Sequence, residues 1–261
     1  SLQGLAASMP AILTAALYLL CMHTFNNLID ATSDRYNDPD RGKFYHKNKK
    51  LLWAMTVASG IGALWSAWGM GPLFAVLLAC MSVMGVVYII SLVPRIAGGT
   101  IPPKIREIPG SKTILVALAW GIVTAIMPAI EGFGSIRPET VPVLIWSVSL
   151  VFIRTAFFDI LDMQGSRIAG KETLPILLGE NRTMYLLKIV AISAAVLISA
   201  AALAGIVSPS GFLLGLCPIS MLVFLLGYQQ RGFSPGLRQV FLMESHFLLA
   251  GVLAGLWAVL A

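Results

Sequence analysis

Two short acidic runs hold the residues with which this chain can do chemistry. The first is Asn26-Asn27-Leu28-Ile29-Asp30-Ala31-Thr32-Ser33-Asp34, where Asn26, Asp30 and Asp34 are spaced i, i+4, i+8. On a helix that spacing lines all three along one face. The second is Asp159-Ile160-Leu161-Asp162, spaced i, i+3 and again on one helical face. The chemistry that needs such groups is the binding of a hard cation. Mg2+ takes oxygen ligands, usually one or two carboxylates plus the oxygens of a phosphate. Two acidic clusters facing each other would hold metal ions on either side of a diphosphate, and nearby Arg and Lys would neutralise its remaining charge. Arg154, five residues before Asp159, is placed to reach either a phosphate or a carboxylate. The plainer readings are solvated helix ends for Asp30 and Asp34, and an ion pair of Asp162 with Arg154 or Arg167.

The elements that must position these residues are membrane spans. Of 261 residues, 57% are hydrophobic and only 11% charged, against roughly 25% charged in an ordinary soluble domain. That leaves too little polar surface for a soluble enzyme, and too little charge and too much apolar content for disorder. Cys21, Cys80 and Cys217 are odd in number and lie within apolar runs, which excludes a disulfide scaffold. Eight apolar runs long enough to cross a bilayer are expected near 5–29, 51–70, 73–93, 112–130, 141–162, 183–206, 211–229 and 239–260. Alternation of period two is absent, so a helical bundle is expected and not a barrel. The fold class is therefore an all-α polytopic membrane bundle, with residues 1–261 forming one transmembrane domain.

Charge sets the expected orientation. Of 18 Lys and Arg, 16 fall in the loop 30–50, the loop after the third span, the stretch after the fifth and the loop before the last. The intervening loops hold only Arg137, and Arg154 lies inside a span. Basic loops stay in the cytoplasm, so both acidic runs are expected on that side of a prokaryotic inner membrane. The net charge of +6 is explained in this way, without nucleic acid. The run Lys47-Asn48-Lys49-Lys50 reads as an anchor on anionic lipid. Eight spans would place Ser1 outside, so one further helix is expected ahead of it. No secretory signal pattern is evident.

On these residues the sequence resembles the UbiA superfamily of intramembrane prenyltransferases. Asn26 to Asp34 matches its first motif, N-(D/N)-x-x-D-x-x-x-D, position by position. Asp159, Asp162, Gly170, Thr173, Leu174 and Pro175 match its second. Ile101-Pro102-Pro103-Lys104-Ile105-Arg106, Pro109-Gly110-Ser111-Lys112 and Ala117-Leu118-Ala119-Trp120 are similar to its basic loop and the helix after it. The resemblance implies nine helices around a central cavity, counting the helix expected before Ser1. It implies Mg2+ held by Asn26, Asp30, Asp34, Asp159 and Asp162, of which the four aspartates are the catalytic residues. Asn26, Asn27, Arg41, Lys104, Arg106, Lys112, Arg154 and Tyr88 are implied in substrate binding. There are departures from the pattern. Ser166 stands where many members carry a third acid, Asp38-Pro39-Asp40-Arg41-Gly42-Lys43 replaces a stretch containing R-P, and Tyr88 is followed by Leu92 and not by a lysine.

The activity this implies is transfer of an isoprenyl group from its diphosphate to a hydrophobic acceptor, aromatic and quinone-precursor-like or lipid. The expected partners are these two substrates and membrane lipid, with no nucleic acid and no protein partner. Fixed charges would stabilise the leaving diphosphate, and a dry cavity would keep water from an allylic cation. Phe157, Phe158, Tyr88 and Trp120 are candidates to face that cation. A terpene cyclase or phospho-sugar prenyltransferase would use the same ionisation. A secondary transporter is the alternative of another class, but acids at span ends and the lack of an internal repeat speak for the enzyme. His23 is read as a pocket-lining or core residue. Glu244 and His246, two apart, fall on different faces of the last span.

Overall fold

The computed structural model describes residues 2–6, 8–37, 39–90, 110–168, 173–231 and 237–260, without the side chains of 30–37, 39–42, 88–90, 231 and 237. Most of these residues are helical, with no strand among them. Seven helical segments are long and apolar enough to cross a membrane, and an eighth apolar stretch, Pro72–Val87, is shorter. The expected runs are therefore all present as helix, with one fewer of full span length. The chain divides into two compact units, Ser8–Lys112 with Asp162–Leu177, and Ser1–Ala7 with Thr113–Leu161 and Leu178–Ala261.

The first of these units is built on α1 (Met9–Asn37), which packs along α3 (Lys49–Met70). Helix α1 starts later than the apolar run suggests and continues without a break through the whole first acidic motif. Small residues let the two helices approach closely: a Cβ added at Gly60 would lie 3.1 Å from Cys21 Sγ. Thr14 Oγ1 donates to Ser66 Oγ at 2.9 Å, a polar clasp between spans. Phe25 meets Trp53 edge-on, with centroids 5.8 Å apart. The short α2 (Pro39–Lys47) links these helices, and α4 (Pro72–Ile90) follows after Gly71, whose φ of 138° permits the reversal. The short helices α8 (Met163–Ile168) and α9 (Leu174–Leu178) follow the second acidic run, and α8 packs on α1.

The other unit centres on α7 (Thr140–Leu161), where Leu150, Val151, Ile153, Arg154, Ala156 and Phe157 are all buried. Helix α10 (Glu180–Leu203) packs on α7 and buries Met184, Leu187, Ala191, Ala194 and Ile198 at helical spacing. The expected span 211–229 is two helices, α11 (Ser210–Leu214) and α12 (Leu216–Arg231), parted at Gly215. The last span is α13 (Leu237–Leu260). Helix α5 (Ser111–Gly121) runs through a π-helical turn, Ile122–Ile126, into α6 (Met127–Phe133). The turn lies just before Pro128, which has no N–H for the helical ladder. The buried side chain of Gln3 compensates, donating to Ala125 O at 2.9 Å and accepting from Thr140 Oγ1 at 3.3 Å.

Candidate active site

Each acidic run sits at the end of a long helix, and each is held from outside that helix. On α1, Asn26 is half-buried and Asn27 is buried. Asn27 Nδ2 donates to Tyr45 Oη on α2 at 2.9 Å and lies 3.1 Å from His23 Nε2, one turn earlier. Both amide hydrogens thus have partners, which fixes the plane of the Asn27 amide. Tyr45 belongs to neither motif, yet it ties the start of the acidic run to the helix beyond its end. The backbone of Asp30 and Asp34 continues the same helix, so the i, i+4, i+8 register holds. The side chains of Asp30, Asp34, Arg41 and Tyr88 lie outside the described residues, as do Lys104 and Arg106 entirely.

The second acidic run falls at the C-terminal end of α7. Asp159 is half-buried, and its Oδ2 accepts a 2.8 Å hydrogen bond from Thr113 Oγ1 in the first turn of α5. Thr113 is wholly buried, so this hydroxyl serves the carboxylate and not solvent. Asp162 lies just past the helix end, and its carbonyl accepts from Ser166 N at 3.0 Å to start α8. Ser166, at the position of the third acid, is buried. Lys112, next to Thr113, is half-buried at the start of α5. The stretch Thr173-Leu174-Pro175 packs on Gly110: a Cβ there would lie 2.8 Å from Leu174 Cγ. With φ at +76°, Gly110 is constrained to glycine on both counts.

Arg154 reaches a carboxylate, but not one from either motif. Its Nε lies 3.0 and 3.1 Å from the two oxygens of Glu244 on α13, and its Nη2 pairs with Oε1 of the same residue. The guanidinium stands 4.8 Å over the Phe158 ring and 6.0 Å from that of Trp120. Phe157 is fully buried against Phe224 and Tyr228. These rings, expected to face a substrate cation, therefore already pack on protein groups. Sequence reasoning missed Thr113, Tyr45 and Glu244. Glu244 had a signal, since a carboxylate within a span calls for a partner and Arg154 is a cation inside another span.

Among the described residues no three His, Cys, Asp or Glu side chains cluster as a metal site. The chemistry of the donors nevertheless fits Mg2+, because carboxylate and amide oxygens are the hard ligands it takes. Carboxylate oxygens accept about four hydrogen bonds or ligands in all, so the Thr113 bond orients Asp159 without exhausting it.

Comparison with known proteins bears on the fold and the family. The digeranylgeranylglyceryl phosphate synthase of Halobacterium salinarum is 28% identical over 221 residues, covering 81% of this chain and 70% of that protein. The apo structure of a UbiA homolog from Aeropyrum pernix K1 superposes with a TM-score of 0.71 at 15% identity, covering 98% of this chain and 90% of that one. A UbiA homolog from Archaeoglobus fulgidus bound to GPP and Mg2+ gives a TM-score of 0.61 at 16% identity, over 95% and 86% of the two chains. These two likenesses concern the fold. The profile of the UbiA prenyltransferase family matches residues 5–250, nearly the whole sequence, and the chain belongs to that family.

Proposed function

We propose that this multi-pass membrane prenyltransferase moves an isoprenyl group from a prenyl diphosphate to a hydroxyl of a glyceryl phosphate lipid. The observation that carries the reading is the Asp159 carboxylate, pinned at the end of a membrane helix by the buried Thr113 hydroxyl. A carboxylate in that setting is costly unless it is used. The lipid acceptor is supported by the relative from Halobacterium salinarum, whose product carries prenyl chains on glyceryl phosphate. The diphosphate donor and the metal are supported by the homolog from Archaeoglobus fulgidus bound to GPP and Mg2+.

Asn26, Asp30, Asp34, Asp159 and Asp162 are the oxygen ligands assigned to Mg2+. When bound, Mg2+ neutralises the charge that grows on the diphosphate as its bond to carbon weakens. Asn27, Arg41, Lys104, Arg106, Lys112 and Tyr88 are assigned to the diphosphate, where they orient it and screen its charge. The apolar spans hold the isoprenyl tail and exclude the water that would compete with the acceptor. The acidic runs are assigned to the cytoplasmic side of a prokaryotic inner membrane, a placement supported by the clustering of 16 of 18 cations on one side.

The test uses the full chain in detergent with geranyl diphosphate, Mg2+ and either geranylgeranylglyceryl phosphate or a hydroxybenzoate as acceptor. Pyrophosphate and prenylated product are both measured. Product is expected with the lipid. Asp159→Asn is expected to lower turnover about 100- to 1,000-fold, as loss of one fixed electrostatic group does. Product only with the aromatic compound would overturn the acceptor, and wild-type turnover in the variant would overturn the site.

A further inference from the structure

The ion pair within the spans asks for a use that the acidic motifs do not give it. Arg154 lies five residues before Asp159, about 7.5 Å deeper along α7. Glu244 lies six residues into the span that starts at Arg238, about 9 Å from its end. Arg154 is buried, its side chain only 9% exposed, while that of Glu244 is 40% exposed. Glu244 thus keeps part of its carboxylate accessible beside the buried guanidinium.

The hydrogen bonds of Arg154 among the described residues all go to Glu244, through Nε and Nη2. Its Nη1 edge makes none. A guanidinium carries five N–H donors, so a donor edge is left beside a carboxylate that still has acceptor capacity. The walls are aromatic: Phe158 below the guanidinium, Trp120 near it, and Phe247 5.6 Å from Trp120. Helix α5 joins this place to the acidic run. Thr113 and Trp120, seven residues apart, share one face of α5; the first bonds Asp159 and the second flanks Arg154.

We infer that Arg154 and Glu244 together bind a hydroxyl group of the acceptor. The chemistry selects the group. A neutral pair offering a donor beside an acceptor suits a group that both accepts and donates, as an alcohol or phenol does. A diphosphate is a poor fit, because Glu244 already neutralises Arg154 and would repel a second anion. The depth also suits an acceptor. About 7.5 Å of helix rise below Asp159 leaves room for the linking oxygen, the reacting carbon and an incoming oxygen at about 3–3.5 Å. The inference rests on the prenyl-transfer reading above and adds which residues hold the second substrate.

The test compares wild type, E244D and the double variant R154M/E244M. The double variant replaces an ion pair by apolar side chains of similar length, which buried sites tolerate. The probes are geranylgeranylglyceryl phosphate and its methyl ether at the free hydroxyl, with geranyl diphosphate as donor. In the double variant the KM for the lipid is expected to rise roughly tenfold or more, the loss of a hydrogen bond to a charged group. The KM for geranyl diphosphate stays within about twofold, since that substrate is held elsewhere. Wild type prefers the hydroxyl lipid to its ether in equilibrium binding, and the double variant loses that preference. A monodisperse double variant that keeps both the lipid KM and the preference would overturn the inference, as would a rise confined to the KM of geranyl diphosphate. E244D, which keeps the charge but withdraws it by one methylene, is expected to fall between the two, and wild-type values in it count against the pair. If wild type transfers nothing to this lipid, the functional reading fails instead, and the binding comparison alone still decides whether the pair recognises a hydroxyl.

Discussion

The two acidic runs differ in the groups that the described residues bring to them. At α1 a phenol and an imidazole meet the amide of Asn27. Around α7 a hydroxyl holds Asp159, and one and a half turns deeper a full ion pair joins α7 to the last span. The difference is one of charge and not of burial, since Asn27 and Arg154 are both buried. Neutral hydrogen bonds suffice to set the angle of a neutral amide. Inside the span each charge needs a partner, because a lone one costs several kcal/mol in low dielectric. The contrast predicts that breaking the ion pair on α7 acts on stability, while removing a single hydroxyl beside either acidic run acts mainly on chemistry.

The largest expected effect breaks the deep pair on one side only. Arg154→Ala strands Glu244, which is 40% exposed, and is expected to cost about 1–3 kcal/mol of stability. The double variant R154M/E244M should recover most of that loss. Thermal unfolding in detergent measures both, and equal losses in the two proteins would show that the pair does not behave as a unit. Next is Thr113→Val, which keeps the shape of the residue and removes the hydroxyl. Asp159 then loses one orienting bond, and kcat should fall about tenfold, the worth of a hydrogen bond to a charged group at roughly 1.5 kcal/mol. The unfolding temperature should hardly move. A fall in stability with unchanged kcat would mean that the bond serves packing.

Tyr45→Phe probes the neutral side. It removes the hydroxyl that fixes Asn27, so the KM for geranyl diphosphate should rise a few-fold while stability falls by no more than the roughly 0.5–1.5 kcal/mol of one hydrogen bond. If this variant were more damaging than Thr113→Val, the ranking of deep over shallow support would be reversed.

Much of this molecule can be read from hydropathy and spacing, which are local. The spans, the i, i+4, i+8 register of α1 and the family motif need only neighbouring residues. What escaped depends on contacts between distant segments or on backbone detail. Arg154 and Glu244 are 90 residues apart, so only the cost of a lone charge in a span, and no local pattern, could pair them. Thr113 looks like any threonine at a helix start until α7 places Asp159 beside it. The break at Gly215 lies within an unbroken apolar run, so hydropathy passes over it. Trp120 and Phe158, candidates for a substrate cation or for ordinary packing, flank the guanidinium of Arg154, a contact that their own neighbours in sequence do not announce.

The smallest effect expected is the most discriminating about what lies beside α7. Thr155 stands one turn before Asp159 on the same helical face, buried, and its Oγ1 has no hydrogen-bond partner. An orphan hydroxyl in such a place costs about 1–3 kcal/mol, and replacing it by an apolar group of the same shape removes that cost. Thr155→Val should therefore leave stability unchanged or raise it by up to about 1 kcal/mol. If the hydroxyl is idle, kcat and both KM values stay at wild type. If substrate binding supplies the missing partner, stability still rises while kcat falls. That outcome would extend the functional face of α7 from Asp159 inward by one turn, and would make the deep side of the comparison a site of chemistry as well as of support.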